Sequence, residues 1–167
     1  MKEVILVISF LLDGIFSNFL PVNGIFAPLF TLVSLIVVYP YFDGDKRNYY
    51  KYSFVLGLIY DLIYTDTMVY YAFLFLFMAF IIIKLTIILN DNYINIIIIT
   101  IISIIIFRSI TYILMVITGN VSFNYHIWFN SIYSSILANV IYAVILLSIA
   151  NFINRKIKFK KSHNLRW

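Results

Sequence analysis

Long apolar runs separated by short polar punctuation, rather than strict alternation, set the pattern of this chain. The runs fall at about 4–20, 25–42, 52–65, 68–89, 94–117 and 130–153. Crossing a bilayer core as helix takes about 20 predominantly apolar residues, and the continuous stretch 52–89 is long enough for two crossings. It breaks at T-D-T, residues 65–67, which predicts a helical hairpin there. No run shows the period-two alternation of a membrane β-barrel strand. The pattern therefore predicts an all-α integral membrane protein, a six-transmembrane-helix bundle over 1–153 with a tail over 154–167. Pro21 and Gly24 mark the first turn. The first run begins as a signal peptide could, but no small-x-small cleavage site follows it and further spans do, so it reads as an uncleaved first helix.

Composition agrees with the pattern. Of 167 residues 63% are apolar and only 11% charged, against roughly a quarter charged in soluble domains. Mean hydropathy is +1.00. There is no cysteine, which removes disulfides and thiolate metal sites, and the two histidines leave little imidazole chemistry. The net charge of +5 is concentrated beside the spans rather than on a soluble face, which points away from nucleic acid. Lys2, the loop cations Lys46, Arg47 and Lys51, and the tail's Arg155, Lys156, Lys158, Lys160, Lys161 and Arg166 fall on one side of a six-span topology, while the three opposite loops carry no Lys or Arg. The positive-inside rule then places both termini in the cytoplasm. Lys84 lies near the cytoplasmic end of its span, within snorkelling reach of the headgroups, and Arg108 is left as the cation well inside one.

Lipid cannot hydrogen-bond, so small and polar residues in spans mark helix-facing stripes. Ser9, Asp13 and Ser17 recur at intervals of four in span one; Pro28, Thr31 and Ser34 at three in span two; Ser53, Gly57 and Asp61 at four in span three; Ser131, Ser135 and Asn139 at four in span six. Span four is Phe, Leu, Met and Ile with only Tyr and Ala as relief, which predicts the greatest lipid exposure. A rise of about 1.5 Å per residue puts Asp13 and Asp61 roughly 13 Å, and Arg108 roughly 21 Å, from the cytoplasmic side. Intramembrane ionisable residues mark either an ion or proton pathway or a structural ion pair. The structural pair is preferred, with Arg108 pairing Asp13, Asp61 or both, because the prolines sit near span ends rather than breaking helices as a transport route does. His126 beside Trp128 reads as an interface anchor rather than a metal ligand. The basic tail reads as an anchor to anionic lipid in preference to a docking site for a cytoplasmic partner. No zinc helix pair, phosphate loop or serine–histidine arrangement occurs in the spans, so neither a catalytic residue nor a cofactor or metal is expected.

The length, the six runs, P-L-F-T-L-V-S-L-I-V-V-Y-P-Y-F at 28–42 and F-V-L-G-L-I-Y-D-L-I-Y-T-D-T at 54–67 together resemble the bacterial rod shape-determining MreD family. The centre of the match is G-L-x-x-D, with Gly57, Leu58 and Asp61, preceded by Pro28 early in span two. A further glycine that often follows the acidic element in that family is replaced here by T-D-T-M-V-Y. The resemblance implies a non-enzymatic scaffold subunit of the elongasome, the machinery that lays down lateral peptidoglycan at the inner membrane. It implies binding to the bitopic protein MreC, and through it a link to the actin-like MreB, the polymerase RodA and a class B penicillin-binding protein. Ser53, Gly57, Leu58, Asp61 and Pro28 are then the helix-packing or partner-binding candidates. The competing class is the substrate-binding subunit of an energy-coupling-factor vitamin transporter, also six helices and of a fold the family is expected to share. Span one lacks the Ala-x-x-x-Ala docking element typical of those subunits.

Overall fold

The structure, a computed structural model, describes residues 2–19, 28–65, 69–89 and 92–163, with side chains described except at 17–19 and 153–163. The described residues form six α-helices: α1 Lys2–Phe19, α2 Phe30–Val38, α3 Lys46–Tyr64, α4 Tyr70–Leu89, α5 Tyr93–Ile117 and α6 Tyr125–His163. A 3-10 turn, Tyr39–Phe42, extends α2. No strand occurs among the described residues, as the absence of alternation predicts. Among the described residues three helical stretches are long and apolar enough to cross a membrane, namely Tyr70–Leu89, Tyr93–Ile117 and Tyr125–Phe152, and Phe30–Phe42 forms a shorter apolar helix.

The middle of the molecule is α2. All nine of its residues are buried, which is what an all-round apolar helix requires. It packs on α1, α6, α5 and α4, and the chain otherwise pairs in sequence, α3 with α4 and α5 with α6, with α4 also against α5. Nine residues give only about 14 Å of helix. The N-terminal end of α2 lies buried inside the bundle, where water is not at hand to satisfy the backbone groups that every helix start leaves open, while its other end continues into the 3-10 turn.

Helix starts follow local chemistry where it exists. Asp45 caps α3, its side chain accepting from Asn48 N at 3.1 Å, so α3 begins at Lys46, inside the charged loop and ahead of the apolar run at 52. The tight link before it uses positive φ at Asp43 (49°) and Gly44 (84°). At the end of α5, Gly119 (φ 76°) closes a Schellman pattern, with Asn120 N donating to Met115 O and Gly119 N to Val116 O. The next helix then starts at Tyr125, so half of the aromatic connection expected ahead of residue 130 is helical. At its far end α6 runs unbroken to His163, carrying the tail from 154 onward as helix. The span-two expectation begins at 25, and residues 25–27 lie outside the described residues, as do 66–68 at the T-D-T break.

Although α4 lacks a polar stripe, it turns Leu74, Phe75, Met78, Ala79, Ile82 and Ile83 into the core and leaves Phe73, Phe77, Phe80, Ile87 and Ile88 outside. Hydrocarbon side chains serve both faces here. An apolar helix packs inward through shape, because lipid and protein interior are equally apolar.

Candidate functional site: two carboxylates that hold helix starts

Asp61 and Asp13 are both 2% exposed, and each grips the beginning of the helix that follows its own. From α3, Asp61 Oδ1 accepts from Tyr71 N and Oδ2 from Ala72 N, each at 3.0 Å, in the first turn of α4. Thr65 Oγ1 donates to Asp61 Oδ1 at 3.4 Å. From α1, Asp13 Oδ1 accepts from Phe30 N at 2.6 Å and Oδ2 from Thr31 N at 2.8 Å, in the first turn of α2. The two arrangements are the same: one carboxylate, one oxygen per N–H, on two consecutive residues. They meet a need the neighbouring sequence leaves open, since the residues just before α2 and α4 are Leu29 and Val69, which have no acceptor to offer as an N-cap. Negative charge at a helix N-terminus is favoured by the helix dipole as well as by the hydrogen bonds, and more so where water is excluded.

Gly57, one turn before Asp61, makes the second grip possible. A Cβ built there would lie 2.5 Å from both Ala72 Cα and Tyr71 O, and 2.8 Å from Ala72 N. These are backbone atoms of the very residues Asp61 holds, so no side-chain rotation relieves the clash. Gly57 lets the first turn of α4 lie against α3, and Asp61 then reaches its N–H groups without distortion. The Gly-x-x-x-Asp spacing puts space and acceptor on one helix face, four residues apart. Ser53, one turn earlier and fully buried, donates back to Tyr49 O at 2.9 Å, so its described bond stays within α3 and at the seam it contributes small size. Leu58 is half-buried beside them.

The α1 grip is reinforced from α6. Asn139 Oδ1 accepts from Leu29 N at 2.8 Å, so the N–H groups of Leu29, Phe30 and Thr31 all meet side-chain acceptors, one from α6 and two from α1. Asn139 Nδ2 donates to Ser135 O at 2.7 Å, and Arg108 Nε on α5 donates to Ser135 Oγ at 2.7 Å. A polar chain thus runs from α2 through α6 to α5. Arg108 is half-buried and lies within electrostatic reach of Asp13, Tyr60 and Tyr71. The described bonds of the two carboxylates go to backbone N–H groups and, at Asp61, to the Thr65 hydroxyl as well, and Arg108 lies near Asp13.

A third hairpin is tied in the same sense by a different group. Tyr112 of α5 accepts from Asn124 N at 2.7 Å with its hydroxyl and donates to Asn124 O at 2.9 Å, immediately before α6. In α1, Gly14 gives room to Tyr64 of α3, whose hydroxyl donates to Phe10 O at 2.8 Å. Pro28, half-buried, stands at the mouth of α2 and lines an apolar cavity of about 370 Å³ with Leu12, Phe16, Phe30, Ala138, Ile141, Tyr142 and Ile145. His126 is exposed, its ring stacked on Tyr125 at 3.9 Å between centroids. Ser17 and the tail cations from Arg155 to Lys161 lie where side chains are not described.

Helix ends held by side chains of other helices, apolar surfaces wide enough to face lipid and an all-helical fold define an integral membrane protein organised around helix packing. The chain belongs to the rod shape-determining protein MreD family, whose family model matches residues 2–156. The curated proteins gave no match. Neither did the solved structures. Membership makes this a shape-determining membrane protein, and the matched range includes the α3–α4 grip of Gly57 and Asp61.

Proposed function

We propose that this chain is a non-enzymatic scaffold of the elongasome in the bacterial inner membrane, crossing it six times with both termini in the cytoplasm, and that it binds MreC and so links MreB to RodA and a class B penicillin-binding protein. The observation that carries this reading is the family match over nearly the whole chain. The site supports it from below: every buried ionisable group described has a structural occupation, the two carboxylates on helix starts and Arg108 on Ser135. A bundle held this way presents fixed helix faces, and a fixed face is what a partner's single membrane helix recognises. Six crossings use α1, α2 with its 3-10 turn, and α3 in addition to the three long apolar helices, with the charged ends of α1 and α3 at the membrane surface. The positive end of α6, from Arg155 to Lys161, extends the helix past the hydrocarbon and anchors it among anionic headgroups.

Two experiments test the reading. Photo-crosslinking residues placed along the exposed faces of α1, α4 and α6 should capture the membrane segment of MreC at one contiguous stripe; capture nowhere contradicts the binding claim. Purification from native membranes with mass spectrometry of bound small molecules should find no stoichiometric vitamin, and finding one would turn the reading to a transporter subunit.

A further inference from the structure

The first and last helices meet without the close packing that joins neighbours along the chain. Among the described residues α1 and α6 are not one of the closely packed helix pairs; α1 lies on α2, and α6 on α5 and α2. What joins them is polar. The hydroxyls of Ser9 and Tyr142 share a hydrogen bond at 2.7 Å, and Asp13 and Asn139 hold the same end of α2 from opposite sides. Beside these ties the apolar cavity of about 370 Å³ opens to the outer face of the bundle, with Leu12 and Phe16 on one wall and Ala138, Ile141 and Ile145 on the other. The contrast is the α3–α4 seam, where Gly57 brings backbone against backbone.

In a bilayer, apolar surface gains nothing by leaving lipid for protein, so helices stay together through close packing and hydrogen bonds. Where a lipid-facing cleft replaces helix-to-helix packing, direct side-chain contacts between the two helices are few and the hydrogen bonds carry the association. We infer that the α1–α6 seam is a latch, the place where the bundle parts sideways, closed by the Ser9–Tyr142 bond and by the shared hold of Asp13 and Asn139 on α2. Lipid chains replace what the apolar walls lose on opening, so the latch strength is set by a few polar contacts. The α3–α4 side stays closed throughout.

The chain has no cysteine, which makes the test direct. Cysteine pairs are introduced at Leu12→Cys with Ile141→Cys across the latch, and at Phe54→Cys with Phe73→Cys across α3 and α4, whose rings stand 6.1 Å apart. Each is treated in membranes with bismaleimides of short and long span. Tyr142→Phe removes one latch bond and keeps the ring, so the ratio of long-span to short-span product at the latch pair should rise about twofold to tenfold, with the control pair unchanged. Ser9→Ala, which breaks the same bond from α1, should do likewise and stands in should Tyr142→Phe fail to accumulate. An unchanged ratio at the latch pair, or an equal rise at both pairs, overturns the inference.

Discussion

At Asp13 and Asp61 the carboxylate shape matters as much as its charge. Each uses both oxygens as acceptors for neighbouring N–H groups, and an asparagine offers one acceptor and turns a donor toward the other N–H. Asp61→Asn should therefore cost nearly as much as Asp61→Ala, on the order of 1–3 kcal/mol per buried N–H left open, read as a loss of folded protein in membranes and a lower Tm in detergent. Arg108→Gln separates this from a plain ion pair. Neutralising the cation should fail to rescue Asp13→Asn or Asp61→Asn, since the open N–H groups remain; rescue in the double variant would show that charge pairing dominates. At Gly57 the constraint is volume. Gly57→Ala forces α4 away from α3 and should destabilise by about 1–3 kcal/mol, and Gly57→Leu should abolish accumulation even with Asp61 intact, measured by quantitative blotting of membranes.

Among the elements, the helices were legible in the sequence far better than their connections to one another. The apolar runs 68–89 and 94–117 overlie α4, Tyr70–Leu89, and α5, Tyr93–Ile117, and α3 ends at Tyr64, just ahead of T-D-T. The start of α6 was missed because the run Tyr125–Asn130 is aromatic and polar, which reads as an interface loop; Tyr112 engaging Asn124 fixes the helix start instead. Asp13, Asp61, Gly57 and Asn139, all on the small and polar stripes, are buried. Spacing within one helix cannot say which group on another helix an inward residue meets, so the grip on helix starts was not visible from the stripes. One sequence signal did point to it: Leu29 and Val69 before α2 and α4 leave those helices without a cap of their own. Asn139→Ala should loosen the start of α2 while leaving the α3–α4 seam intact, so hydrogen exchange should rise at the amides of residues 29–31 and remain unchanged at 71 and 72; equal loosening at both would mean that the two grips are not independent.

Across the whole molecule, a fully buried short helix is held by its neighbours, and three hairpins are each closed by a side chain of the first helix on the beginning of the second. This is a design for fixed geometry within each hairpin. Buried polar groups serve as clamps, and the outer surface is left apolar for lipid and for partner helices. The resemblance carried by 28–67 widens to family membership over residues 2–156, into α6. Reporter fusions after residue 167 and in the 118–124 connection should report opposite sides of the membrane, cytoplasmic for the terminus, and the same side for both would break the six-span topology.

Depletion of the chain from the rod-forming bacterium that makes it, with cell shape followed over successive divisions, tests the central claim most directly. The account predicts that rods round into spheres, that the intact chain restores them, and that Gly57→Leu does not. Rods that keep their shape through complete depletion would contradict it.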